Sequence, residues 1–235
     1  MRHSEEKELM DSPGASPRLL EGDLGNLRAL NRVLGAKRGI FKFLSSTVEQ
    51  NRMREFSLLD VGTGSADIPI AIVEWARKRG LAARIVALEP HPVTAAVARR
   101  RVAYYPEIAI VRADGFTPPF KPGAFDFVLA SQMLHHFSED EITALLRAWA
   151  NTARRALLVS DLVRHPLAYL GIKLITILFT TNVMTRVDAP LSVRRAYTVE
   201  EWRKLFRRAG VGPAEVLALF PFRVFARLWL GREPL

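Results

Sequence analysis

The sequence predicts a doubly wound α/β fold: a mostly parallel, seven-stranded sheet with helices on both faces. Three observations carry this. Short apolar runs alternate with helical patterns from residue 55 onward. Those runs are apolar at consecutive positions, as strands covered on both faces must be, rather than at every second one. With 235 residues, 49% of them hydrophobic and 25% charged, the chain holds enough material for one sizeable core but not for two typical domains.

Residues 1–22, rich in charge, Ser, Pro and Gly, read as a disordered tail. Residues 23–54 read as an N-terminal helical cap. There Leu27, Leu30, Val33, Leu34, Phe41 and Leu44 fall on one helical face, broken at Gly35 or Gly39. The core runs over 55–235. Its first strand is "FSLLDVG", followed by the helix "ADIPIAIVEWARKRG", which ends in basic residues and Gly80. "ARIVALEP" is strand two, "HPVTAAVARRRVAYY" a helix and "EIAIVRADG" strand three. "FDFVLASQ" is strand four. The next helix opens on Ser138 with Glu141 three residues on, a capping box. "RRALLVSDLV" is strand five. An insert over 164–197 carries its own apolar helix and serves as a lid. Thr198 and Glu201 cap a last helix that stops at Gly210. "AEVLALF" and "FRVFARLWL" close the sheet as a hairpin around Pro221.

The net charge is +10, and 27 of the 34 basic residues are arginine. That balance favours anionic surroundings, or reflects only the codon usage of the source. There is no cysteine, which excludes disulfides and thiolate metal sites; no metal site is expected. The acids in the first 18 residues fit no signal peptide. The most apolar run, Leu167 to Phe179, is 13 residues with a lysine inside, short of the ~20 that span a bilayer. The expected location is cytoplasmic, with room for peripheral membrane contact through the apolar lid and nearby basic residues.

Ligands of such sheets sit at the carboxyl ends of the strands. Strand one ends in Asp60-Val61-Gly62-Thr63-Gly64. Gly62 and Gly64 let the backbone turn tightly and approach a ligand closely. A dinucleotide turn needs a third glycine, and the hexamer "GTGSAD" has Asp67 there. Asp60 is also poorly placed against a pyrophosphate but well placed for a cationic amino group. Both features disfavour a nicotinamide enzyme.

Asp60-x-Gly62-x-Gly64 resembles the first motif of the class I S-adenosylmethionine-dependent methyltransferases, with Ala66 where that family has a further glycine. The resemblance covers residues 55–161 and is looser elsewhere. It implies the Rossmann-like methyltransferase fold and S-adenosyl-L-methionine as cofactor, leaving as S-adenosyl-L-homocysteine. The turn then holds the methionine end. Glu89 and Pro90, at the tip of strand two, meet the ribose hydroxyls. Asp114, Gly115 and Phe116, after strand three, flank the adenine. Ser131 and Gln132, after strand four, line the sulfonium and the acceptor's entrance. The chain is most similar to the branch acting on quinones, phenols and natural products.

A sulfonium methyl is already activated, so the protein needs to position a nucleophile and exclude water. A hydroxyl acceptor also gains from a base. His136 and His135, in "LHHF", are the first candidates, and His165 another, with Asp161 placed to orient a histidine or a substrate. In the lid, Tyr169, Phe179, Met184 and Arg164 are expected to line an acceptor pocket, which favours a small apolar or aromatic acceptor. Arg186, Arg194 and Arg195 either meet an anionic substrate or form a solvated face, the second being the favoured expectation. The favoured function is O-methylation of such an acceptor, with C-methylation an alternative. An RNA, other nucleic-acid or protein methyltransferase draws support from the +10 charge and "ARRR" at 98–101. Strand four, however, ends in "ASQM", not the Asn/Asp-Pro-Pro-aromatic run of base-amino enzymes, so nucleic acid is disfavoured as a partner. A non-catalytic cofactor-binding scaffold is the other class. The sequence names neither the oligomeric state nor the acceptor.

Overall fold

The computed structural model describes residues 1–12 and 14–231. Pro13 and residues 232–235, inside the expected 1–22 and 55–235 segments, lie outside the described residues. Seven strands form one sheet: β1 (Glu55–Val61), β2 (Ala82–Leu88), β3 (Ile108–Val111), β4 (Phe125–Ser131), β5 (Ala153–Leu162), β6 (Ala214–Leu219) and β7 (Arg223–Trp229). Their order is β3-β2-β1-β4-β5-β7-β6, parallel except for β7, which runs antiparallel to both neighbours.

Consecutive apolar residues in the strands feed opposite faces, because strand side chains alternate. Leu58, Phe127, Leu129, Ala156 and Leu158 pack on one face with Ile40, Phe43 and Leu44 of α2 (Arg38–Gln50) and with Ile68, Ile72 and Val73 of α3 (Asp67–Arg77). Ala98 of α4 (Pro92–Arg101) joins this layer. Leu59, Val128, Leu157 and Val159 pack on the other, against α5 (Glu139–Thr152) and α8 (Val199–Ala209). Both capping boxes form. Glu141 Oε2 accepts the Ser138 N–H at 2.7 Å, and Glu201 Oε2 accepts that of Thr198 at 2.7 Å.

The chain enters the sheet at β1, builds outward through β2 and β3, then returns to lay β4 on the other side of β1. That reversal opens a crevice at the carboxyl ends of β1 and β4. Over it lie α1 (Pro17–Val33), α6 (Pro166–Phe179) and α7 (Val183–Arg195).

The N-terminus differs from the expected disordered tail. Helix α1 starts at Pro17. Ahead of it, residues 4–11 lie along α7: Ser4 N–H donates to Arg194 O at 3.2 Å, and Leu9 and Met10 N–H donate to the Asp188 carboxylate at 2.8 and 3.0 Å. These partners are some 180 residues away in sequence. A polar segment therefore gains its order from contacts that composition does not reveal.

Candidate active site

The crevice is a cavity of about 740 Å³. Its floor is made of the expected strand-end residues. Asp60, Gly62, Gly64, Glu89, Pro90, Asp114, Gly115, Phe116, Ser131 and Gln132 all line it.

Each is held by local chemistry. Gly62 has φ 67°, and a Cβ there would stand 2.9 Å from Met133 Cγ, so both the conformation and the close approach require glycine. Gly64 has φ 57°, with nothing within 4 Å of where a Cβ would sit. This leaves its backbone open to the cavity. Glu89 Oε2 accepts the Gly64 N–H at 2.9 Å, while Oε1 accepts the His91 N–H at 3.0 Å. Asp114 Oδ1 accepts the Phe116 N–H at 2.9 Å. Phe116 meets Phe137 edge-on at 5.6 Å between centroids. Trp149, buried under this wall, donates to Gly115 O at 2.8 Å. The hydroxyl of Ser131 is buried at the wall with no protein partner. Gln132 has φ 55°; its side-chain oxygen accepts from Arg223 at 2.5 Å.

Burial pushes the Asp60 carboxyl up to about 7, and does the same to Glu89. Such acids are costly to ionise until a cation or a set of donors arrives. A turn of open backbone flanked by two such acids fits a cationic, hydroxyl-rich nucleoside.

The far end of the cavity is apolar. Leu27, Leu30 and Leu34 of α1 and its C-terminal cap, Ala168, Gly171, Ile172 and Ile175 of α6, and Ala189 and Val193 of α7 line it. The expected lid residues lie elsewhere. Tyr169, itself on α6, packs partly buried against the cluster of Ile172, Ala189 and Val193. Met184 is buried with Leu20, Leu24 and Val97. Phe179 is 80% exposed. Arg164 pairs with Glu201 at 2.5 Å and donates to Ala196 O. An unbroken apolar run predicts a helix here, as its placement over Pro166–Phe179 bears out, without revealing which of its faces turns inward.

Of the three candidate histidines, His135 and His136 line the cavity and His165 does not. His165 caps α6, its Nδ1 accepting the Leu167 N–H at 3.2 Å, and stacks on Phe222. His135 is buried; its Nδ1 meets Asp161 Oδ1 at 2.8 Å. Asp161 Oδ2 also accepts the Leu134 and His135 N–H groups. Burial alone would raise Asp161, but His135 outweighs it and holds the carboxyl below its usual range. His136 Nδ1 meets Asp11 Oδ2 at 2.9 Å. Burial raises Asp11 too, and the bond to His136 again wins, so its carboxyl is lowered. Arg195, expected on a solvated face, is buried and donates to the carbonyls of His135 and His136 at 3.0 and 2.7 Å.

Sequence reasoning missed Glu8 and Asp11. Both line the cavity beside the two histidines, and Glu8 is 2% exposed. The only signal in the sequence is an acid pair three apart in a short charged stretch, which by itself reads as solvated.

Residues 58–156 match the family described as "Methyltransferase domain". No curated protein sequence matches the chain. Among solved structures, the plantazolicin methyltransferase BpumL, in complex with a triazolic desmethylPZN analog and SAH, is 13% identical with a TM-score of 0.70, covering 95% of this chain and 93% of its own. A SAM-dependent methyltransferase from Aquifex aeolicus is 12% identical with a TM-score of 0.62, covering 92% of this chain and 99% of its own. The citrinin polyketide synthase CMeT domain is 15% identical with a TM-score of 0.57, covering 77% of this chain; this chain spans about half, 47%, of that one. At these identities the likeness is one of fold.

Proposed function

We propose that this chain, a class I S-adenosylmethionine-dependent methyltransferase by its domain and its fold, methylates the oxygen of a small apolar or aromatic acceptor. The supporting observation is a single cavity with two unlike ends. One is a polar floor of glycines and buried acids; the other is an apolar chamber closed by α1, α6 and α7.

In this reading Asp60 receives the cationic amino group, and the open backbone at Gly62 and Gly64 lets the methionine end lie close. Glu89 and Pro90 take the ribose. Asp114, Gly115 and Phe116 flank the adenine. Ser131 and Gln132 face the sulfonium. S-adenosyl-L-methionine supplies a methyl already activated on sulfur and leaves as S-adenosyl-L-homocysteine. The chain's own work is to orient the acceptor in line and keep water out. The corner formed by His135, His136, Glu8 and Asp11 assists loss of the acceptor's proton, an effect of ~10²–10⁴-fold in comparable sites. About 740 Å³ suits a cofactor together with a small molecule. A cytoplasmic location belongs to the same reading.

A second face of α6 favours contact with a lipid surface. Leu170, Leu174, Ile177 and Leu178 are all exposed at helical spacing, with Phe179 beyond them. Lys173 and Arg186 flank this face. An apolar helix rimmed by cations fits an anionic membrane surface. No helix among the described residues is long and apolar enough to cross a membrane.

The test is to incubate the purified protein with S-adenosylmethionine and a panel of lipophilic phenols and quinols, then to follow S-adenosylhomocysteine and the product's methyl position by mass spectrometry. Product methylated at oxygen supports the reading. Methylation at carbon replaces its O-specific part. Cofactor binding with no product from any acceptor overturns it in favour of a non-catalytic scaffold.

A further inference from the structure

We propose that Glu8, His135 and His136 form a site for one divalent transition-metal ion of the zinc class, opening onto the acceptor end of the cavity. The cluster joins the N-terminal segment to the turn after β4, and its three ligand atoms lie within 4.8 Å of one another.

His135 Nδ1 stands 2.8 Å from Asp161 Oδ1, and Asp161 Oδ2 accepts the Leu134 and His135 backbone N–H groups. His136 Nδ1 stands 2.9 Å from Asp11 Oδ2. In each ring the nitrogen engaged by a carboxylate is Nδ1, which leaves Nε2 as the one to bind a cation. Both Nε2 atoms then face one carboxylate. His135 Nε2 is 3.7 Å from Glu8 Oε1, and His136 Nε2 is 3.8 Å from Glu8 Oε2. These gaps are too long for hydrogen bonds. They bring two imidazole nitrogens and one carboxylate around a common point.

A cation satisfies all three at once. Tetrahedral bonds of ~2.0–2.1 Å set ligand atoms about 3.4 Å apart, so each His–Glu8 gap closes by a few tenths of an ångström and no pair in the cluster, all within 4.8 Å, by more than about 1.4 Å. Two imidazoles and one carboxylate form a donor set that suits zinc. The layer behind is also in place. Each ring gives its other nitrogen to a carboxylate, the arrangement that fixes tautomer and orientation in metal sites. Arg195 pins both histidine carbonyls, and Ser192 donates to Glu8 Oε1 at 2.8 Å. Glu8 is buried beside the two rings, and a bound cation offsets the cost of holding a carboxylate there. All three ligands line the cavity, so the remaining position faces the chamber, as in catalytic zinc sites that keep one position for water or substrate. A hydroxyl-bearing acceptor fits there. Only that last use rests on the methyltransferase reading; the metal site itself does not.

The test uses the full chain, stripped with chelator and titrated with Zn²⁺ alone by calorimetry and with Co²⁺ alone by visible absorption. S-adenosylhomocysteine binding is measured separately, so failure of the metal site and failure of the cofactor reading are told apart. The expected result is one saturable equivalent of metal, with visible cobalt bands of a low-coordinate nitrogen site. Glu8→Gln and His136→Ala each weaken it by at least ~100-fold, and Asp11→Asn weakens it by ~10–100-fold. His165→Ala, outside the cluster, does not change it. Circular dichroism confirms that each variant is folded, and Asp11→Asn carries the test if a ligand variant is not. No saturable binding, or binding untouched by Glu8→Gln and Asp11→Asn, overturns the proposal.

Discussion

The carboxylate of Glu89 accepts the backbone N–H of Gly64 at 2.9 Å, joining the tip of β2 to the turn after β1 at the cavity floor. Together with Asp60 it makes an acidic floor whose two carboxyls are pushed by burial up to about 7. A cationic, hydroxyl-rich ligand selects their ionised forms. S-adenosylhomocysteine affinity should therefore rise as pH increases from about 6 to about 7, by up to ~10-fold per group per pH unit, and level off near pH 8. Glu89→Gln should make the rise shallower. Calorimetry across this range checks it, and flat affinity would contradict it.

The same acids weaken the ligand-free protein. A carboxyl raised in the folded state contributes stability below its unfolded value near 4, and that contribution is lost as pH climbs through about 7. Asp60→Asn should then raise the melting temperature of the ligand-free protein by several °C near pH 8, roughly 1–3 kcal/mol, while removing the shift produced by S-adenosylhomocysteine. A variant that melts lower and still responds to ligand would count against this account.

The two glycines of the turn should fail in different ways. Gly62→Ala meets Met133 as well as an unfavourable φ, so it should lower both stability and affinity. Gly64→Ala meets nothing and should cost only about 1–2 kcal/mol of backbone strain. In the proposed binding mode the added methyl points into the space given to the ligand, so affinity should fall far more than stability. Equal losses of stability in the two variants would refute the assignment.

Removing residues 1–12 should leave S-adenosylhomocysteine affinity within about threefold of wild type, because the floor is built from β1 to β4. Turnover of an acceptor should drop by ~10²-fold or more, since Glu8 and Asp11 leave with the segment. Glu8→Gln should show the same split if the shortened chain folds poorly. Normal turnover in both would remove the N-terminal segment from the site.

Leu174→Glu, on the exposed face of α6, should reduce co-flotation with anionic vesicles while leaving activity on a water-soluble acceptor unchanged. Unaltered flotation would assign that face to something other than lipid.

The floor of the site was legible because strand-helix alternation fixes which residues end each strand. Periodicity and the glycine turn put Asp60, Glu89, Asp114 and Ser131 at strand ends, and only the family resemblance gave them roles toward a cofactor. The roof was not. Helix α6 is apolar almost all round, so Tyr169 and Phe179 were expected inside while Ile172 and Ile175 take that place. Glu8 and Arg195 are charged residues that sequence reasoning leaves in solvent. They are buried because they satisfy each other's neighbours across some 190 positions, as in the Arg195 contact to Glu6 O. Order arising from such distant polar pairs has no local pattern to read.

The most direct measurement is a crystal structure of the protein grown with S-adenosylhomocysteine. The account predicts ribose hydroxyls on Glu89, the amino group at Asp60, the adenine beside Asp114 and Phe116, and the sulfur turned toward the chamber below α6. A nucleoside bound away from the tips of β1 and β2, or a crevice closed with ligand elsewhere, would contradict it.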